Sequence, residues 1–147
     1  MFRKIESLPK QKMLIFFLVL SFQVVLLLFS YKLLHPDHFY LVRGNHETEE
    51  ITKMYGFYAE VRHKYDDRMY NAIQDVFAWL PIAHLVNGSV LCMHGGLCSR
   101  DGVTLDDIRG IERGRQPERD TIMCDLLWSD PQVSQDTSFF IMVFIPL

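Results

Sequence analysis

Charge is absent from Met13 to Tyr31, a stretch containing LIFFLVLSFQVVLLLF, with Arg3, Lys4, Lys10 and Lys12 before it and Lys32 after it. A bilayer-spanning helix takes about 20 such residues, and the basic flank would hold the N-terminus on the cytoplasmic side. Residues 13–31 therefore read as a membrane span. A signal peptide fits less well, because the run is long and lacks a clear small-residue cleavage site. Ser21, Gln23 and Ser30 keep a second reading open, a helix buried in a core.

Past Lys32 the pattern becomes that of an alternating α/β domain. Phe39-Tyr40-Leu41-Val42 is a short β-prone run that stops at Arg43-Gly44-Asn45-His46-Glu47. A strand stops in this way when it delivers polar side chains to the carboxyl edge of a sheet. Met69, Ile73, Val76, Phe77 and Leu80 recur at helical spacing and predict a helix over 67–80, stopped by Pro81. Ile82 to Val86 and Ser89 to Met93 flank Asn87-Gly88, a strong hairpin signal. The second of these runs ends at His94-Gly95-Gly96. Thr104 and Asp107 are spaced as a capping box at a helix start. Residues 114–120, with Pro117, read as a surface loop. Phe57, Tyr65, Met69, Val76, Phe77, Trp79 and Trp128 are the expected contributors to a core. The chain closes on FFIMVFIPL, too short to span a bilayer and sticky unless it docks.

Composition narrows the field. The 147 residues make room for one ordinary domain, and 49% hydrophobic content is enough for a core. A net charge of −3 gives no electrostatic footprint for nucleic acid. Cys92, Cys98 and Cys124 are odd in number and form no CxxC pair, which argues against a disulfide framework or a thiolate zinc site and fits a reducing compartment.

Two strand-end motifs carry the chemistry. They are Arg43-Gly44-Asn45-His46-Glu47 and Met93-His94-Gly95-Gly96. Amide oxygen and imidazole nitrogen suit borderline divalent ions such as manganese, iron or zinc. Glycine beside them lets the backbone approach a bound anion closely. A histidine next to an Asn ligand is placed to protonate a leaving oxygen. His35, His38, His63 and His84 read as ordinary structural histidines. Arg109, Arg113, Arg115 and Arg119 are interleaved with acids and read as a solvated surface.

LVRGNHE, YGFYAEV, WLPIAHLVNG, MHGGL, DGVTLDDIR and CDLLWSDPQ follow one another as they do in the phosphoprotein phosphatase family, and the chain resembles its serine/threonine phosphatase catalytic domain from about Leu20 to Gln132. The resemblance implies a calcineurin-like phosphoesterase fold, a metallophosphoesterase-type β-sandwich flanked by helices, here incomplete. It implies two divalent metal ions and a phosphoprotein substrate. By the family's motif, Asn45 and His94 are ligands of the second metal, His46 is the general acid, and Arg43 and Glu47 support them. Asp130 reads as structural. On this view residues 20–34 are a helix packed inside the fold, and membrane insertion and core packing stand as equal alternatives.

The resemblance also defines what is missing. The family's Gly-Asp-x-His-Gly and Gly-Asp-x-x-Asp-Arg-Gly motifs do not occur, and residues 1–19 contain neither Asp nor His. A further phosphate-binding Arg and a further metal-binding His are not found downstream. The expected organisation is a non-family segment over 1–19, a partial catalytic domain over 20–132 and a non-family apolar tail over 133–147. Such a chain is expected to be a truncated or alternatively spliced product with marginal stability and little or no phosphatase activity. Its location is expected to be cytoplasmic or nuclear by family, or at a membrane through residues 13–31. A non-catalytic interaction fragment is the alternative function.

Overall fold

A computed structural model of the chain describes residues 14–16, as backbone, and residues 22–130. Strand β1 (Leu14–Phe16) pairs in parallel with β2 (Phe39–Leu41), Leu14 opposite Phe39 and Phe16 opposite Leu41. Helix α1 (Phe22–Leu34) is the crossover between them, as a parallel pair requires. Of the apolar run over 13–31, residues 14–16 form β1 and residues from Phe22 onward belong to α1, while 13 and 17–21 lie outside the described residues. Among the described residues no helix is long and apolar enough to cross a membrane.

The core-helix reading holds for α1. Phe22, Val25 and Leu28 recur every three residues, so one side of the helix is buried. They join a cluster with Phe39, Phe57, Val61 and Phe77. The backbone N–H of Phe22 donates to Glu60 Oε1 at 3.3 Å, which satisfies one donor of the helix start.

Three helices follow β2: α2 (Glu49–Met54), α3 (Phe57–Lys64) and α4 (Asp67–Trp79). Asp66 caps α4 by accepting from the Met69 N–H at 2.9 Å, and the helix ends just before Pro81 as the sequence predicts. Tyr70, Ile73 and Phe77 form its buried stripe. Phe57 and Phe77 are core residues and Met69 packs at the core's edge, but Tyr65, Val76, Trp79 and Trp128 are exposed, contrary to expectation. The reason lies in the helical angle. Val76 stands on the flank of the Tyr70–Ile73–Phe77 stripe and Trp79 on the side opposite it, so Trp79 remains 61% exposed, with Arg113 donating to its carbonyl at 2.6 Å.

Strands β3 (Ala83–Val86) and β4 (Val90–Met93) form the expected antiparallel hairpin, Val86 opposite Val90. Asn87 and Gly88 both have positive φ, 51° and 70°, and the Ser89 N–H closes the turn on the Val86 carbonyl at 3.1 Å. Two hydrogen bonds fasten the hairpin and the residue pair before it to β2 and the residues after it. The Arg43 N–H donates to the Pro81 carbonyl at 2.8 Å, and His84 Nε2 lies 2.9 Å from the Leu41 carbonyl.

Short helices α5 (Leu105–Arg109) and α6 (Ile122–Trp128) complete the described residues. Thr104 and Asp107 make the predicted capping box. Thr121 caps α6 through the Cys124 N–H at 3.2 Å. The result is a mixed α/β architecture in which the anticipated β-sandwich is present only in part, as two two-stranded sheets. The apolar tail and most of the N-terminal segment lie outside the described residues.

Candidate functional site

Gly44 to Glu47 fold back on themselves directly after β2. The Gly44 N–H donates to Glu47 Oε2 at 2.8 Å, the Glu47 N–H to the Gly44 carbonyl at 3.2 Å, and the Thr48 hydroxyl to the Asn45 carbonyl at 2.8 Å. These bonds close the turn locally, and Arg43 locks it to the rest of the protein. Its guanidinium is fully buried; Nε donates to the Glu47 carbonyl at 3.0 Å and Nη1 to the Arg115 carbonyl at 2.9 Å. The turn that carries Asn45 and His46 is thus bolted to the loop before α6.

Burying two ionisable groups shows in their titration. Burial pushes the Glu47 carboxyl up to about 7, opposed by the Gly44 N–H and the Arg43 charge. Burial also draws the Arg43 guanidinium down to about 10, with Glu47 resisting. Arg43 therefore stays charged at neutral pH, while the Glu47 carboxyl sits close to its titration point there.

The second motif is held by backbone. The Gly95 N–H donates to the Leu126 carbonyl at 2.8 Å, so the turn after β4 rests on the C-terminal end of α6. A Cβ on Gly95 would stand 2.9 Å from backbone atoms of Asp125, Leu126 and Leu127, and one on Gly96 would stand 3.0 Å from the Ser129 carbonyl oxygen. Only glycine permits that contact.

The two turns meet. His94 Nε2 lies 2.9 Å from Asn45 Oδ1, joining residues 49 positions apart. Gly44 makes room for the meeting, since a Cβ there would be 2.9 Å from His94 Nδ1 and 2.8 Å from Glu47 Oε2. The half-buried His94 imidazole is held below its usual pKa, first by burial and then by the neighbouring His46, with Asp130 pulling the other way. His46 is half-buried, its ring 5.2 Å from that of Tyr55.

All five residues singled out in the sequence therefore belong to one neighbourhood, with Asn45, His46 and His94 at its front and Arg43 and Glu47 behind. Sequence reasoning passed over Tyr55, whose only signal was its place in the YGFYAEV run. It also passed over the Arg115 carbonyl, which carries no side-chain signal. Asp130, set aside as structural, is close enough for its charge to reach His94.

A calcineurin-like phosphoesterase family model matches residues 19–147. The chain belongs to this family. Human serine/threonine-protein phosphatase 5 is 62% identical over 112 residues, which cover 76% of this chain and 22% of that protein. Serine/threonine-protein phosphatase 5 of Arabidopsis thaliana is 48% identical over 112 residues, covering 76% and 21%. A solved Saccharomyces cerevisiae protein serine/threonine phosphatase superposes with a TM-score of 0.73 at 46% identity, over 75% of this chain and 35% of that one. The chain spans about a fifth of the length of the curated relatives it matches.

Family membership implies divalent metal ions, and the residues can be tested for them. Asn45 Oδ1 and His94 Nε2 are donors of the right kind and converge on one point. Among the described residues, however, no group of three or more His, Cys, Asp or Glu side chains could hold a metal ion. Two neutral donors supply part of one ion's shell, where catalytic sites use about three protein ligands. The described residues do not fit a two-metal centre.

Proposed function

We propose that residues 20–132 are part of a serine/threonine phosphatase catalytic domain carrying one side of its metal centre, and that the 147-residue chain alone is a poor catalyst. The observation that supports this reading is the 2.9 Å approach of His94 Nε2 to Asn45 Oδ1 within the two family motifs. Asn45 and His94 are assigned as ligands toward one divalent ion, manganese, iron or zinc. His46 is assigned as the general acid, giving its proton to the serine or threonine oxygen as the phosphorus–oxygen bond breaks. Arg43 and Glu47 are positioning residues that fix the turn.

The described residues do not supply the groups that activate the attacking water and clamp the phosphate. One positioned acid is worth about 10²–10⁴-fold in rate, and without the rest of the site most of that is lost. The same two-donor set favours a second reading, a non-catalytic fragment that binds what the whole enzyme binds.

The test is manganese-dependent hydrolysis of a phosphoserine peptide by the purified chain beside His46→Ala. The expected rates are equal and near background. Turnover in the parent that disappears in His46→Ala would overturn the claim of a poor catalyst and leave the acid assignment standing.

A further inference from the structure

The β3–β4 hairpin is apolar on both faces. Val86, Val90 and Cys92 pack with Tyr40 of β2, while Ala83, Leu85, Leu91 and Met93 alternate onto the opposite face. A strand pair built this way is a layer that needs cover on both sides. On the second face, Leu105 and Ile108 of α5 supply part of that cover. Between them, the hairpin and the loop over 97–104 lies a groove of about 660 Å³, within the ~300–1,000 Å³ of sites that take a ligand. Its charged lining residues, Arg100, Asp101, Asp106 and Arg109, cancel in sign, so the groove favours an uncharged, apolar occupant.

We propose that residues 139–145 of the chain's own C-terminal segment, FFIMVFI, dock in this groove. They are seven consecutive apolar residues without a charge, which gains from burial and matches the lining. The segment also starts in the right place. Leu126 of α6 lines the groove, and the Ser129 carbonyl oxygen lies 3.0 Å from where a Cβ on Gly96 would stand, next to groove-lining Leu97. Eight residues, 131–138, separate Asp130 from the apolar run. Extended, they span up to about 26 Å at roughly 3.3 Å each, enough to bring the run back over the groove. Tethering makes the docking intramolecular, with an effective concentration on the order of millimolar.

Cys98 lines the groove and Cys124 lines a separate cavity, so each thiol reports on its own surroundings. Iodoacetamide labelling of the purified chain, read at each cysteine by peptide mass spectrometry, tests the proposal. A chain carrying both Ile141→Ser and Phe144→Ser is expected to label Cys98 at least threefold faster than the parent, with Cys124 unchanged. Val133→Ser, an apolar loss outside the run, is expected to leave both rates at the parent's. Equal Cys98 rates in the parent and the double variant overturn the proposal. So does faster labelling of both cysteines together, which would mark general loosening. Protection of Cys98 that grows with chain concentration would place the segment of a second copy in the groove, and overturns it too.

Discussion

The turn after β2 is held by side chains, and the turn after β4 by backbone. In the first, the buried guanidinium of Arg43 reaches the Glu47 and Arg115 carbonyls while the Glu47 carboxyl accepts from Gly44. In the second, Gly95 and Gly96 lie directly on the end of α6 with no side chain between. The first arrangement is costly to bury and fails when the guanidinium that holds its carbonyls is lost. The second has no charge to lose and fails on the addition of a single carbon. Both present a polar side chain to the same point, so each is open to a different kind of damage.

Replacing Arg43 with Met is expected to have the largest effect. It leaves the Glu47, Ala78 and Arg115 carbonyls without the buried donor that serves them, a loss of about 1–3 kcal/mol for each group left unsatisfied. Urea unfolding would measure it, and a loss under 1 kcal/mol would deny that the first turn depends on the Arg43 guanidinium. Gly95→Ala comes next. Its Cβ meets rigid backbone, so about 1–3 kcal/mol is expected from overpacking. Gly88→Ala, where the added carbon meets open space at φ 70°, should cost about 1 kcal/mol from backbone strain alone. Equal losses at the two glycines would show that close packing on α6 does not matter.

The smallest effect lies outside both turns, at His84. Its Nε2–H is placed to donate to the Leu41 carbonyl, Nδ1 is buried without a partner, and burial holds the imidazole below its ordinary pKa. Below pH 6.5 the unfolded chain binds a proton that the folded chain refuses, so stability falls as pH drops through that range toward the folded pKa. Glu47 works in the opposite sense, its raised pKa removing stability as pH rises from 4.5 towards 7. The difference between the parent and His84→Gln isolates the histidine. That difference should shrink as pH falls, and thermal unfolding at pH 7 and pH 5 would read it.

The motifs were legible in the sequence because they are local. A strand, a glycine and a polar residue occur within five positions, and the hairpin and capping box follow from turn and cap chemistry over four. The elements within the apolar run were not legible, for the opposite reason. Whether Leu14–Phe16 becomes a strand depends on a partner 25 residues away in β2, and hydropathy alone cannot register that pairing. Trp79 and Trp128 were placed inside because they are large and apolar, whereas exposure was decided by their place opposite the buried side of each helix. The bracing of Arg43 by the Arg115 carbonyl was likewise invisible, since any residue type supplies a carbonyl.

The central claim is that Asn45 and His94 form a two-donor half of a metal site. Manganese titration followed by NMR tests it most directly, because the ion broadens resonances near where it binds. The account predicts weak binding that broadens the Asn45 side-chain amide and the His94 ring first and leaves His84 unaffected. Broadening without that selectivity, or saturation at one equivalent of manganese, would contradict it.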